Sequence, residues 1–313
     1  MKTTGQIQSL ARLPRLRVVL FKRARSCVLF LCATLIGIVA FPTGSRGQAT
    51  AVHGLWVWKG RTVLRAPQGA QSLRDFCRSE SVNEVYLSVS DEASKSDDQA
   101  LTHLIGTLHH AHVRVEALVS STTADTGGQP RAKLVAHVRT ILRFNQGLGA
   151  DGFDGIHIDV EPQQRPENKG EGNLRFLPGL VDTYREIRAL VEPRGLTVNA
   201  DIQSKLLKGD LAQRRSLLSS LPRVTLMLYE LSSLSDGKSV DEKIGKLRET
   251  SQRMLGMAYE GLEDANLAKM AIALRTPDYG KLLPQMLRTL DEANAMNPHY
   301  LGWARHSYND VLK

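Results

Sequence analysis

In the stretch DGIHIDVEP, His157, Asp159 and Glu161 alternate with Ile156, Ile158 and Val160, and Asp154 opens the run. A repeat of two is the period of a strand, so the three titratable side chains share one face and the branched apolar ones the other. Two carboxylates two residues apart on a strand face repel when both are ionised. One therefore keeps a proton near neutrality, which is what general acid–base chemistry needs. His157, deeper on the same face, adds a group whose charge responds to its neighbours in the physiological range.

Such a strand does chemistry only if other elements hold it, and the chain supplies a regular series. Short β-branched runs occur at 54–60, 83–90, 113–121, 155–162, 196–203, 224–230, 269–276 and 300–308. Amphipathic helical patterns lie between them near 68–80, 97–111, 130–147, 173–192, 210–221, 240–265 and 279–296, with Pro130, Pro193 and Pro298 at helix edges. Eight strands alternating with helices over about 250 residues predict an α/β fold, a (β/α)8 barrel. Its last helix is reduced or missing, since only Asn309 to Lys313 follow the eighth strand. No linker or composition break divides residues 50–313, which read as one domain.

The outer face of a barrel packs on helices, so the apolar set of each strand points outward. The inward set is then Trp56, Trp58, Tyr86, Ser88, Glu116, Ser120, His157, Asp159, Glu161, Asn199, Asp201, Gln203, Met227, Tyr229, Arg275, His306 and Tyr308. Barrel interiors are normally filled with branched apolar side chains, and active sites sit at the carboxyl ends of the strands. Glu161 falls at such an end, where an inward carboxylate is costly unless used or paired. Glu116, His157 and Asn199, deeper down, read equally well as a structural polar network. Trp56, Trp58 and Trp303 are candidate sugar-stacking faces, although tryptophans at strand–helix boundaries are more often core. The cluster His109, His110 and His112 ends a helix and reads as solvated. The polar loop from Gln163 to Gly172 is a candidate rim that touches substrate, with a plain exposed loop as the alternative. No cofactor motif and no metal-ligand spacing is present.

The first 49 residues read differently. They hold 8 of the 41 lysines and arginines and none of the 32 acids, and an uncharged apolar run spans Cys27 to Phe41. With Ala49-Thr50-Ala51 as an A-x-A site, this reads as an export signal cleaved near residue 50. The alternative is a retained membrane anchor over residues 27–41. Without this segment 33 basic residues face 32 acidic ones, so nothing favours a nucleic-acid partner. Cys77 is then the one remaining cysteine, which leaves no intramolecular disulfide.

At the chemistry-bearing residues the sequence resembles the chitinases and related enzymes of glycoside hydrolase family 18. Their fourth-strand signature D-G-x-D-x-D-x-E appears as Asp154-Gly155-Ile156-His157-Ile158-Asp159-Val160-Glu161, with His157 where the family has an aspartate. Their sixth strand ends Met-x-Tyr-Asp, and here Met227-Leu228-Tyr229-Glu230 stands. The resemblance implies retaining hydrolysis of a β-linked N-acetylhexosamine glycan, with the substrate's own 2-acetamido group as nucleophile. Glu161 would be the general acid, Asp159 would hold the acetamide, and Tyr229 would donate to its oxygen. Asp154, His157, Met227, Glu230, Asp201, Gln203, Tyr86, Trp58, Arg275, His306 and Tyr308 would form the surrounding substrate pocket. His157 would donate to Asp159 and hold it ionised. Two further readings stay open: a barrel that binds a polysaccharide or oligosaccharide without cleaving it, and a glycosidase with Asp159 or Asp201 as direct nucleophile.

Overall fold

A computed structural model describes residues 51–89, 95–170, 173–229 and 239–310. The expected export signal over residues 1–49, Glu230 and the end of the 83–90 run lie outside the described residues. The strands are β1 (Val52–Val57), β2 (Glu84–Ser88), β3 (Arg114–Ser121), β4 (Gly155–Val160), β5 (Thr197–Gln203), β6 (Arg223–Met227), β7 (Lys269–Arg275) and β8 (Tyr300–His306). The helices are α1 (Gly60–Arg65), α2 (Gly69–Ser79), α3 (Lys95–His109), α4 (Gly128–Phe144), α5 (Leu177–Val191), α6 (Leu211–Ser219), α7 (Val240–Tyr259), α8 (Thr276–Tyr279) and α9 (Leu283–Asn294). All neighbouring strands pair in parallel, and β1 pairs with both β2 and β8, so the sheet closes on itself. This is the (β/α)8 barrel that the strand spacing predicts. No described helix is long and apolar enough to cross a membrane.

The alternation sorts side chains as the apolar pattern requires. Val85, Leu87, Val115, Ala117, Ile156, Ile158, Val198 and Ala200 are fully buried in the shell between strands and helices. Burying each larger one contributes about 1.5–3 kcal/mol, so turning β4 over would forfeit its whole apolar face. Inside, the barrel has two halves. Trp56, Tyr86, Leu118, Ala273 and Ala304 pack together on one side, small residues opposite large ones. Gly54 belongs to this packing, because a Cβ there would lie 2.5 Å from the Tyr86 hydroxyl. Glu116, His157, Asn199, Asp201 and Thr225, from β3 to β6, fill the other side and are likewise buried.

Several expectations change. Tyr308 is not inside the barrel: β8 ends at His306, and Tyr308 sits in a 3-10 turn (Tyr308–Asp310) with its ring on Phe76. Past the end of a strand the chain is free to leave the alternation, and after β8 it does so. Trp303 faces outward, stacked on His53 at 4.2 Å and donating to Asp291, so it is shell rather than a sugar platform. The short helix α1 has no counterpart in the apolar pattern, because six residues are too few to show a helical period. Among the described residues only the 3-10 turn Tyr308–Asp310, and no α-helix, follows β8.

Candidate active site

The site is built from the carboxyl ends of β4 to β8. Asp159 on β4 is level with Ser120 of β3, and Glu161, the first residue past β4, accepts from Gln203 of β5. Asp159 is only 6% exposed, and its Oδ1 has no hydrogen-bond partner among the described residues. Burial, together with the charges of Asp201 and Glu161, pushes its carboxyl well above the usual range. Glu161 is half-buried and is raised for the same reasons, burial first and then Asp201. Both are therefore placed to carry protons at higher pH than ordinary carboxylates.

Three carboxamides surround Glu161. Gln163 Nε2 donates to its Oε1 at 3.0 Å, Gln203 Nε2 donates to the same oxygen at 3.3 Å, and Gln164 Nε2 donates to Oε2. These favour the ionised form and temper the upward shift. Alternation could not assign Gln163 and Gln164, which follow the strand in a short 3-10 turn (Pro162–Gln164). The turn is fastened rather than loose. Arg165 donates to Asp125 at 2.6 Å, and buried Asn168 donates to the Pro162 carbonyl at 2.8 Å. The rim loop is thus a fixed wall of the site as far as residue 170.

Below the acid pair lies a buried ionic column. His157 Nε2 donates to Asp201 Oδ1 at 2.8 Å, its Nδ1 faces Glu116 at 3.4 Å, and the Asn199 carboxamide lies 3.1 Å from Nδ1. Burial would depress the imidazolium, but Asp201 and Glu116 outweigh it and raise His157 to about 9. Burial likewise opposes ionisation of Glu116, yet Arg223 and His157 bring it down to about 2. Arg223 also pairs with Glu84 at the base. His157 therefore does not donate to Asp159 as expected, although its charge still favours ionised Asp159. Its hydrogen bond goes across to β5, a partner 44 residues away that the local motif does not reveal.

Other expected residues separate into groups. Asp201 is 2% exposed, and Trp56 Nε1 donates to its Oδ2 at 3.1 Å, so neither oxygen is free to attack or hold a substrate. Tyr86 is fully buried and stacks on His157 at 3.7 Å, supporting the site from beneath. Asp154 sits at the base of the barrel, where it accepts from His109 Nε2 at 2.9 Å and from the Val115 amide at 2.7 Å. It is a structural brace, and His109 is its partner rather than a solvated histidine. Met227 is buried at the level of Gln203.

At the mouth, the Tyr229 hydroxyl is buried with no hydrogen-bond partner among the described residues. The Arg275 guanidinium lies over the Tyr229 ring at 5.3 Å while forking onto Asp278. Trp58 Nε1 donates to His306 Nε2 at 2.9 Å, which requires that nitrogen to be unprotonated, and burial lowers His306 accordingly. A cleft of about 480 Å³ opens over β2 and β3, lined by Ser88, Ser120, Ser121, Thr122, Thr123 and Lys133 among others; it reaches Ser120, the register partner of Asp159, but neither acid lines it. Its hydroxyls suit a polar, many-hydroxyl ligand. Among the described residues no three His, Cys, Asp or Glu side chains converge as metal ligands.

The closed parallel barrel, with a carboxylate pair at the carboxyl end of β4 and Tyr229 just past β6, shares its fold with known chitinases and other glycoside hydrolases. Solved structures bear out that likeness at the level of fold. A chitinase from Bacteroides thetaiotaomicron matches with a TM-score of 0.51 and 13% identity, over 83% of this chain and 90% of that one. The PgaB (BpsB) glycoside hydrolase domain from Bordetella bronchiseptica matches with a TM-score of 0.50 and 13% identity, over 84% and 95%. The exo-β-1,4-mannosidase Op5Man5 from an Opitutaceae bacterium matches with a TM-score of 0.52 and 13% identity, over 82% of this chain but 52% of that one. No family model and no curated protein matches the sequence.

Proposed function

We propose that the protein is a glycoside hydrolase that cleaves a β-linked N-acetylhexosamine glycan with retention of configuration. The observation that carries this reading is the acid pair itself at the mouth of the barrel, Asp159 buried and Glu161 half-buried, both held above the ordinary carboxylate range. Glu161 gives its proton to the glycosidic oxygen as the C1–O bond breaks. The substrate's acetamide oxygen attacks C1 from the opposite face and closes a ring. Asp159 Oδ1 and the Tyr229 hydroxyl are buried polar atoms without partners among the described residues. An acetamide N–H would satisfy the first and its oxygen the second, which is the pairing that buried polar groups demand. Water then attacks C1 from the face vacated by the leaving group, and the Glu161 carboxylate takes its proton.

Glu161→Gln keeps the shape and removes the proton. Turnover should fall by at least about a hundredfold while glycan binding persists. Reducing-end release from β-glycans with and without N-acetyl groups measures this, and unchanged turnover removes Glu161 from the mechanism. A thiazoline mimic of the ring intermediate should bind more tightly than the parent sugar. Asp159→Asn and Tyr229→Phe should each weaken the mimic by a few kcal/mol at most, about the value of a charge-assisted hydrogen bond.

A second reading, a barrel that binds glycan without cleaving it, draws on the three glutamine amides, because donors on Glu161 favour its ionised form. An inert wild-type protein that still binds N-acetylated glycan would select it. The basic, then apolar, leader supports export with cleavage near Thr50. Amino-terminal sequencing of protein from the producing cell tests this, and an intact, membrane-embedded segment over residues 27–41 would replace it.

A further inference from the structure

We propose that Asp201 is a positioning residue for the acid pair: clamped between His157 and Trp56, it presents a fixed negative charge from β5 to Asp159 and Glu161 on β4. The kinetic consequence rests on the glycosidase reading above, while the electrostatic one does not.

The clamp is geometric. Asp201 is 2% exposed, its Oδ1 lies 2.8 Å from His157 Nε2, and its Oδ2 lies 3.1 Å from Trp56 Nε1. Trp56 is itself 1% exposed, and the Tyr86 ring stacks on His157 at 3.7 Å, so neither donor is free to turn away. Even the Asp201 backbone is held, its carbonyl accepting from the Tyr184 hydroxyl at 3.2 Å. A carboxylate with both oxygens committed has nothing left for substrate. It can act only through the field it exerts on its neighbours.

The surroundings of the acid pair leave Asp201 as the dominant charge. Parallel pairing sets Ile158 level with Ala200, so the next residues along, Asp159 and Asp201, are neighbours on adjacent strands. From β6 the pair meets the neutral Tyr229 phenol, and from β8 His306, whose Nε2 accepts the Trp58 indole N–H. The Arg275 cation of β7 lies over Tyr229 and is forked onto Asp278, which offsets it. From the turn after β4 come only the amides of Gln163 and Gln164. His157 is the cation nearest to Asp201, but it is shared with Glu116 on its other nitrogen and so does not cancel Asp201 in full. Asp201 accordingly acts on Asp159, Glu161 and Tyr229 alike, in each case making loss of a proton harder.

In this arrangement burial does most to keep the general acid protonated, and the charge that adds to it sits on the fifth strand. A histidine in the fourth-strand motif is then the counterpart that a buried aspartate on β5 requires. Asp201→Asn removes the charge and nearly preserves the shape. Activity needs protonated Glu161, so the alkaline limb of the kcat/KM profile should move to lower pH. Activity at pH 8 should fall about tenfold or more relative to wild type, while activity at pH 5 stays within about threefold and KM within about twofold. A uniform loss with an unmoved limb would reduce Asp201 to a packing residue and overturn the proposal. Loss at every pH with rescue by azide would make Asp201 a nucleophile, and would overturn it too.

Carboxyl-carbon NMR titration of wild type and Asp201→Asn reads the same effect without turnover. Asp159 and Glu161 should both titrate at lower pH in the variant. An inert wild-type protein would end the glycosidase reading yet leave this measurement decisive. Should Asp201→Asn fail to fold, the nitrogen resonances of His157 in wild type serve instead. The clamp requires a proton on Nε2 at pH 7, and a ring protonated on Nδ1 alone, with Nε2 bare, would overturn it.

Discussion

At the scale of single residues, the fourth strand shows what local pattern reveals and what it hides. Asp159 and Glu161 were legible, because an apolar residue at every second position fixes which way the others point. The partner of His157 was not legible, because it is set by strand register and lies on β5. That difference reverses one expectation. Replacing His157 by aspartate restores the motif of the resembling family on paper, yet in this barrel it removes the cation between Glu116 and Asp201, both essentially without solvent contact. A third carboxylate would stand where an imidazolium was. His157→Asp should therefore destabilise the protein by about 3–5 kcal/mol, the scale of breaking a buried ion pair. Denaturant unfolding of the two proteins measures it, and equal midpoints would show that the column tolerates the charge. Asp154 carries the same lesson in reverse. It belongs to the motif by spacing, but one residue before a strand begins is the wrong end of a barrel for chemistry.

At the scale of elements, the strands were readable to within a few residues, since each buries an apolar outer face against helices. The helix-to-turn contacts that position the site were not, because they depend on the absence of a side chain. Gly179 on α5 lies against the 3-10 turn after β3, and a Cβ there would come 1.9 Å from the Asp125 carbonyl oxygen. Gly-to-Ala within a helix ordinarily gains up to about 1 kcal/mol. Overpacking against backbone costs about 1–3 kcal/mol, and backbone cannot step aside as a side-chain tip can. Gly179→Ala should thus lower stability despite its better helix propensity. Asp125 also anchors Arg165 in the turn that carries Gln163 and Gln164. Turnover should fall together with the melting temperature, and a more stable, fully active variant would show that α5 can shift without disturbing that turn.

At the scale of the whole molecule, a barrel filled with ionisable groups depends on pH in a definite sense. His157 is held to about 9 in the folded protein against 6.5 for a free imidazole. The folded state keeps the proton more tightly, so this contribution is complete below about pH 6.5 and is lost as pH rises toward 9, on the order of 3 kcal/mol. The raised carboxyls of Asp159 and Glu161 act in the same direction from lower pH upward. Glu116, brought down from 4.5 to about 2, does the opposite: its contribution is complete above 4.5 and is lost as pH falls toward 2. Melting temperature followed across pH should peak in mildly acidic buffer and decline toward pH 9. A flat profile from pH 6 to 9 would mean that His157 is not charged.

The parallel closure of β1 on β8 also settles how the molecule can be tethered. Val52 pairs with Gly302, so β1 starts on the face away from the acid pair, whereas β8 runs out to His306 at the mouth. A resin linker, display scaffold or fusion partner joined ahead of Val52 leaves from the far face and keeps the mouth open to a bulky polymer. The same partner joined after Asp310 departs on the mouth side, near Lys59 and Ser307, where it would obstruct a long ligand before a short one.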